Sequence, residues 1–150
     1  MHNSESGHAL INASQILQQA GIVTTRQRIR LLELMFSRSD HPDADTLLTF
    51  ARKQMPAISA DTVYRTLSLF ADAGIIFRMA MPTRRARFDK CTKPHDHFMC
   101  TQCEQIVDIP RRNRSLGSIP EEVKTCGEVR DIQVVYLGIC HQCAEHENRS

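Results

Sequence analysis

Two kinds of metal-binding residue lie close together in the segment His95–Cys103, which contains a His-x-His and a Cys-x-x-Cys motif. A second Cys-x-x-Cys motif follows at residues 140–143. Two such pairs can supply four thiolates to one tetrahedral ion, and zinc is the usual ion for four sulfurs. The spacing therefore predicts a structural zinc that is closed to water and without catalysis, with two disulfides or free thiols as the alternative. The predicted ligands are Cys100, Cys103, Cys140 and Cys143.

The two histidines predict a second site with different chemistry. Residues two apart on a strand point to the same side, so His95 and His97 can share an ion. Asp89 and Asp108 fall at the ends of predicted strands, and His41 lies at a helix break. Three imidazoles and two carboxylates would form a nitrogen and oxygen site, which suits Fe(II) or Mn(II) better than a thiolate site does. For His41 an ordinary surface loop position is the alternative, and spacing alone leaves it open.

Composition limits the class of protein. The sequence has no apolar run of about 18 residues and no signal-peptide pattern at its polar start, so we expect a cytoplasmic protein without a membrane segment. In such a protein, with four of the six cysteines in Cys-x-x-Cys pairs, metal binding is favoured over disulfides. Aromatic residues make up 5% and Trp is absent, which argues against a stacking platform for single-stranded nucleic acid. Residues 1–90 carry 12 Lys/Arg against 8 Asp/Glu, whereas residues 91–150 carry 7 against 9, so only the front half is basic.

The front half predicts a winged helix. Apolar spacing and capping residues predict four helices, followed by two short strands with a basic turn between them. The helices are expected at about 14–20 with Ser14 as N-cap, 26–36, 44–54 and 60–73, and the strands at 75–79 and 86–88. The third and fourth helices form a helix-turn-helix pair, and the hairpin forms the wing. We expect residues 1–90 to be a DNA-binding domain, with a flexible tail over residues 1–13.

Five residues of this half are candidates for contact with double-stranded DNA: Arg28, Tyr64, Arg65, Arg84 and Arg85. The start of the fourth helix would meet base edges in the major groove, and the other arginines would contact phosphates. As alternatives, Tyr64 could cover the core, Arg65 could pair with Asp61, and Arg28 could lie on a solvated helix face. The neighbouring wing favours DNA contact.

The back half, residues 91–150, predicts a small sheet with little helical cover. Strands are expected at 98–101, 105–109 and 132–138, with one or two helical turns over 120–126 and a polar tail at the end of the chain. Such a sheet cannot bury both faces alone, so we expect a homodimer. The predicted fold class is α+β, an N-terminal winged-helix domain followed by a small three-stranded α/β dimerisation domain.

Several motifs occur in the order typical of one family. They are His41-Pro42-x-Ala44-Asp45, Thr62-Val63-Tyr64-Arg65-Thr66-Leu67, Gly74-Ile75-Ile76, Arg87-Phe88-Asp89, His95-x-His97-x-x-Cys100-x-x-Cys103 and Gly138-Ile139-Cys140-x-x-Cys143. Over roughly residues 14–143 the chain resembles the ferric-uptake-regulator (Fur) superfamily of bacterial metal-sensing repressors. The resemblance implies a homodimer on a palindromic operator, a four-cysteine zinc and a regulatory metal at a hinge. The regulatory ligands that it implies are His41, Asp89, His95, His97 and Asp108.

Within that superfamily Asp108 favours the peroxide-sensing (PerR) branch. Iron-uptake regulators typically place Glu there, and their second metal site usually uses a His where this chain has Pro94. A PerR-like site would bind Fe(II) or Mn(II). When Fe(II) occupies that site, hydrogen peroxide would oxidise His41 or His95. An iron-uptake (Fur) or zinc-uptake (Zur) regulator is the alternative, and Cys91 keeps the zinc reading open.

The chain also departs from the family pattern, since Glu104 stands where Gly is usual and Pro110, Gly117 and Pro120 interrupt a connection that is usually a longer helix. Two other classes of function remain as alternatives. An iron enzyme is disfavoured because five protein ligands would fill the site and no motif resembles a substrate pocket. A non-DNA-binding metalloprotein is disfavoured by the arginines of the winged helix.

Overall fold

The computed structural model of the protein describes residues 12–83, 85–111 and 119–147. The chain divides into two units between Thr92 and Lys93, two residues after the expected boundary. We call the parts before and after this point unit 1 and unit 2. Residues 1–11 of the expected tail and the wing residue Arg84 lie outside the described residues.

Unit 1 begins with four helices, each of which starts at a side-chain cap. They are α1 (Ala13–Gln19), α2 (Arg26–Ser37), α3 (Ala44–Arg52) and α4 (Ala60–Asp72). The caps Asn12, Thr25, Asp43 and Ser59 each accept the backbone N–H three residues later, which satisfies a donor that the helix itself cannot. The prediction of Ser14 as first cap is wrong, because Asn12 accepts the Gln15 N–H at 3.1 Å and Ser14 lies inside α1.

The apolar faces of the four helices form one core. The predicted inward stripe of α4, Val63, Leu67 and Phe70, is fully buried, and so is Leu47 of α3. Gly74 follows α4 with a left-handed φ of 71°, a conformation that glycine adopts without steric cost, and ends the helix as expected.

The predicted wing is present as an antiparallel hairpin of β1 (Phe77–Met79) and β2 (Arg87–Asp89). Phe88 is buried, and its N–H donates to the Pro42 carbonyl oxygen at 3.1 Å. This bond fixes β2 beside the segment that leads into α3. Unit 1 therefore has the winged-helix architecture that the sequence predicts.

Unit 2 contains a three-stranded sheet with strand order β4-β3-β5. The strands are β3 (Asp96–Cys100), β4 (Ile106–Ile109) and β5 (Val135–Gly138), and two short helices are α5 (Glu121–Cys126) and α6 (His141–Glu147). β3 pairs antiparallel with β4 and parallel with β5. The α+β class and the small three-stranded unit are confirmed.

Three details of unit 2 differ from expectation, the first being that β3 starts at Asp96, two residues before the predicted start. The end of the chain was predicted as a polar tail, but His141–Glu147 forms α6 directly after Cys140. The third strand is shorter than predicted and starts at Val135, although the His97 N–H of β3 donates to the Val134 carbonyl oxygen just before it, at 3.1 Å. None of the helices in the described ranges is both long and apolar enough to cross a membrane.

Candidate metal centres and nucleic-acid interface

The four predicted zinc ligands converge at one end of the unit 2 sheet. Cys100 ends β3 and lies opposite Gly138 of the parallel strand β5, so the chain after β5 arrives beside it. The Sγ atoms of Cys100, Cys103, Cys140 and Cys143 all lie within 4.8 Å of one another, and we call them the sulfur cluster. The Cys103 and Cys140 Sγ atoms are 3.8 Å apart. A tetrahedron with Zn–S bonds of about 2.3 Å has edges of about 3.8 Å, so the donor set fits zinc.

Protons are shared unequally within the sulfur cluster. Backbone N–H groups of Cys103 and Cys140 point at the Cys100 sulfur and lower the pKa of that thiol to about 6. The hydrogen bond with Cys140, followed by burial, raises the pKa of the Cys143 thiol to about 12. The amides thus favour the Cys100 thiolate, whereas the raised pKa values of Cys103 and Cys143 favour their protonated thiols. A divalent ion would displace those protons, as metal binding to cysteine generally does.

At the opposite end of the same sheet the structure brings together His95, His97 and Asp108, which we call the histidine cluster. His97 and Asp108 are register partners on β3 and β4. The Nε2 atoms of His95 and His97 lie 3.4 Å and 3.7 Å from Asp108 Oδ1. The two rings stand edge to face with centroids 4.4 Å apart. The expected same-side geometry of His-x-His is therefore present.

The tautomer of His95 follows from its neighbour. Its Nδ1 lies 2.7 Å from the Lys93 carbonyl oxygen. A carbonyl can only accept, so Nδ1 carries a proton, and Nε2 is the nitrogen that could bind a metal. A histidine that ligates a metal commonly has its other nitrogen bound in this way. Nitrogen and carboxylate oxygen donors of this kind suit Fe(II) or Mn(II).

Two further predicted ligands lie together in unit 1. His41 Nε2 is 3.7 Å from Asp89 Oδ2, and these residues are 5% and 3% exposed. The bond between the Phe88 N–H and the Pro42 carbonyl oxygen holds their two segments side by side. Asp89 Oδ1 accepts the Cys91 N–H at 2.7 Å, which orients the carboxylate. His41 is therefore buried and does not occupy the surface loop position that was the alternative to metal binding. Its φ of 50° is unusual for a residue other than glycine.

The predicted DNA-reading residues of α4 lie on its outer face. Tyr64 is 48% exposed, so it does not cover the core, and its hydroxyl donates to Asp45 Oδ1 at 3.3 Å. Burial and the Asp45 carboxylate raise the pKa of Tyr64, which keeps its hydroxyl a donor. Arg65 does pair with Asp61, at 2.9 Å, but its side chain is 81% exposed. An exposed pair of this kind is weak and can yield to a phosphate.

The two other described arginines among the DNA-contact candidates, Arg28 and Arg85, each have an intramolecular contact. Arg28 Nη1 donates to the Val23 carbonyl oxygen at 2.7 Å, and Arg85 Nη1 lies 3.4 Å from Asp43 Oδ2. Arg85 is on the wing and its side chain is 69% exposed. The carboxylate that it meets belongs to the cap of α3, two residues after His41.

Sequence reasoning missed one buried pair beside the histidine cluster. Arg111 Nε donates to Asp96 Oδ1 at 2.6 Å, and Asp96 is 2% exposed. A signal was present, since Asp96 lies between His95 and His97 and must face the other side of the strand. A carboxylate buried on that side requires a cation.

Known proteins are similar to this chain over most of its length. Residues 19–134 match the model of the ferric uptake regulator family. The peroxide-responsive repressor PerR of Staphylococcus aureus strain Mu50 is 32% identical over 140 residues, which cover 92% of this chain and 93% of that protein. The peroxide operon regulator of Bacillus subtilis is 28% identical over 148 residues, which cover 95% of this chain and 99% of that protein.

A solved structure supports the same assignment. The ferric uptake regulator (Fur) of Vibrio cholerae is similar with a TM-score of 0.67 and 26% identity, over 85% of this chain and 98% of that chain. These matches confirm the resemblance seen in the motifs. The chain therefore belongs to the ferric uptake regulator family, whose members are transcriptional regulators and not enzymes.

Proposed function

We propose that this chain is a metal-dependent DNA-binding repressor that releases its operator when hydrogen peroxide oxidises its regulatory site. The observation that carries the proposal is the histidine cluster, in which two imidazole nitrogens face one carboxylate oxygen at 3.4 Å and 3.7 Å. The peroxide-responsive names of the two relatives favour peroxide over iron supply as the signal. The similarity to a ferric uptake regulator favours iron sensing as the second candidate.

The proposed regulatory ligands are His41, Asp89, His95, His97 and Asp108. Within each unit the structure describes only a part of that set, a pair in unit 1 and the histidine cluster in unit 2. Two imidazoles and one carboxylate can hold Fe(II) with open positions left for water, whereas five nitrogen and oxygen donors would fill most of the coordination shell of Fe(II) or Mn(II). An ion that needed both groups would bind one arrangement of the units better than others. Its differential affinity would then couple metal binding to DNA binding.

The sulfur cluster is proposed to hold a permanent zinc. All four ligands belong to unit 2, whose described buried apolar residues are only Met99, Cys100 and Ile106. So small a core needs a further source of stability, and a four-thiolate zinc supplies it.

The DNA contacts are proposed at Arg28, Tyr64, Arg65, Arg84 and Arg85. The outer face of α4 would enter the major groove, and the arginines would contact phosphates. Unit 2 would form a homodimer, because its sheet region leaves large apolar residues exposed, namely Val107, Tyr136, Leu137 and Ile139. Two reading heads related by a two-fold axis would fit a palindromic operator in the cytoplasm.

The response to peroxide would alter one ligand. Bound Fe(II) would activate the peroxide O–O bond. One peroxide oxygen would be added to the imidazole of His41 or His95, and the other would leave as water. Because an oxidised ring is a poorer ligand, the site would lose its ion and the repressor its operator.

DNA binding is tested by selection from a library of random-sequence duplexes with full-length, zinc-loaded protein. With Mn(II) the selection should enrich palindromic sites, and removal of Mn(II) should abolish binding to them. Binding should fall steeply with salt, because phosphate contacts release counterions. A protein that retains no duplex with Mn(II) present would contradict the repressor function.

Peroxide and iron sensing are separated by mass spectrometry. After dilute peroxide, the Fe(II)-loaded protein should gain one oxygen on the peptide of His41 or His95, whereas the Mn(II)-loaded protein should not. If neither histidine changes while DNA binding follows iron concentration alone, the iron-uptake function replaces the peroxide function.

A further inference from the structure

A buried ion pair holds the end of the unit 2 sheet that carries the histidine cluster. Arg111 Nε donates to Asp96 Oδ1 at 2.6 Å, and Arg111 Nη2 donates to the Ile132 carbonyl oxygen at 2.8 Å. The two side chains are 15% and 3% exposed. Charge-assisted hydrogen bonds of this kind are strong, and loss of one partner leaves a buried charge uncompensated. Loss of this pair should therefore destabilise its surroundings more than loss of an exposed ion pair would.

The guanidinium joins the start of β3 to the segment that follows β4 and to the segment that precedes β5. Asp96 is the first residue of β3, Arg111 lies just beyond the end of β4, and Ile132 lies shortly before β5. The His97 N–H also donates to the Val134 carbonyl oxygen, so a second hydrogen bond joins β3 to the chain before β5. Arg111 therefore fixes β3 against both neighbours at the end of the sheet opposite the sulfur cluster.

The proposed ligands at this end of the sheet lie at the margins of the strands. His95 precedes the first residue of β3, so it lies outside the regular ladder. Asp108 is on the edge strand β4, and its side chain is 52% exposed. The ends of strands and the edges of sheets open more readily than their centres. Without a fixed Asp96, the imidazoles would not keep a defined distance from Asp108.

We propose that Arg111 is a positioning residue for the regulatory metal. Through Asp96 it holds His95 and His97 at the separation from Asp108 that one ion requires. Asp96 itself faces the other side of the strand, so the pair acts on the ligands through the backbone between them. This inference rests on the proposed metal-dependent function and adds a residue outside the proposed ligand set.

The test is the Mn(II) affinity of full-length, zinc-loaded protein, measured from the electron paramagnetic resonance signal of free Mn(II). Arg111→Ala should weaken binding by about 10–100-fold, the usual effect of losing a residue that orients a ligand. Arg111→Lys should give an intermediate loss, because an ammonium group cannot reproduce the planar fork. Methylguanidinium added to the Arg111→Ala protein should restore part of the affinity. The matched control is Arg130→Ala, which removes an exposed arginine of the same unit and should leave affinity unchanged.

Zinc content and thermal unfolding are measured on the same samples. A merely structural role would lower the unfolding temperature without changing the Mn(II) affinity of the folded protein, and that result overturns the inference. If Arg111→Ala fails to retain zinc, Arg111→Lys decides: wild-type affinity overturns the inference, and weaker binding with full zinc supports it. A wild-type protein that binds neither Mn(II) nor Fe(II) would instead remove the proposed function, and the inference with it.

Discussion

The two ends of the unit 2 sheet carry donor groups of opposite character. At one end four sulfurs from a single unit lie within 4.8 Å of one another and can close a tetrahedral shell. At the other end the unit brings two imidazoles to one carboxylate, which leaves a coordination shell incomplete. A complete shell favours a permanent ion, whereas an incomplete one leaves binding dependent on further ligands. The same small sheet can therefore hold one metal for folding and another for signalling.

The supports of the two ends differ as well. The sulfur cluster is fixed by covalent proximity, since each Cys-x-x-Cys pair places two ligands within one turn, and by the parallel pairing of β3 with β5. The histidine cluster depends on separate strands and on the pair of Arg111 with Asp96. The sulfur cluster should therefore keep its geometry under changes that would displace the residues of the histidine cluster. Each prediction below changes one end of the sheet.

The largest effect is expected from Cys143→Ser. Loss of one thiolate opens the tetrahedral shell, and structural zinc contributes about 10–16 kcal/mol in small zinc-binding peptides. Unit 2 should therefore lose its zinc and unfold, while unit 1 keeps its own buried core of helical residues. Metal analysis by mass spectrometry and urea unfolding followed by circular dichroism would show a lost zinc and a remaining helical transition.

The matched control for that variant is Cys126→Ser. Cys126 is exposed on α5 and lies outside the sulfur cluster. It should keep its zinc and its unfolding curve. Retention of full zinc by Cys143→Ser would show that the cluster is not a four-thiolate site.

An effect confined to signalling is expected from His97→Ala. The variant removes one donor of the histidine cluster and should weaken Mn(II) binding on the order of 100-fold or more. This loss of affinity exceeds the loss expected when a residue that only orients a ligand is removed. Operator binding should fall with it, because metal and DNA binding are coupled. The sulfur cluster should keep its zinc. Titration of Mn(II) by calorimetry, with zinc content measured in parallel, tests the separation of the two ends.

His146→Ala is the control for His97→Ala, since His146 is an exposed histidine of α6 in the same unit. It should bind Mn(II) as the unchanged protein does. Loss of zinc from His97→Ala would show that the two ends are not independent.

The sequence was informative wherever a local pattern determines the geometry. Side-chain caps and apolar periodicity predicted α2, α3 and α4 closely, because both act within a few residues. Each Cys-x-x-Cys pair indicated two neighbouring thiolate ligands for the same reason. His-x-His indicated a shared face because strand side chains repeat every two residues.

The features that sequence reasoning missed depend on contacts between distant residues. The parallel pairing of β3 with β5 brings Cys140 beside Cys100, and no local pattern distinguishes it from an antiparallel arrangement. Arg111 is 15 residues from Asp96, so no local pattern identifies it as the partner of the buried carboxylate. α6 escaped prediction because its sequence is polar and lacks an apolar stripe.

The smallest effect is expected from Glu104→Gly, which tests the rigidity of the sulfur end. Glu104 has a left-handed φ of 57°, directly after Cys103, and its N–H donates to the Cys100 carbonyl oxygen at 3.0 Å. A side chain in this conformation costs about 1–2 kcal/mol, and glycine avoids that cost while losing some entropy on folding. The variant should raise the free energy of unfolding of the zinc-loaded protein by about 0.5–1 kcal/mol. Urea unfolding measures this change, and Mn(II) affinity should stay constant because the opposite end of the sheet is unaltered. A loss of stability would mean that the Glu104 side chain contributes more through its own contacts than its backbone conformation costs.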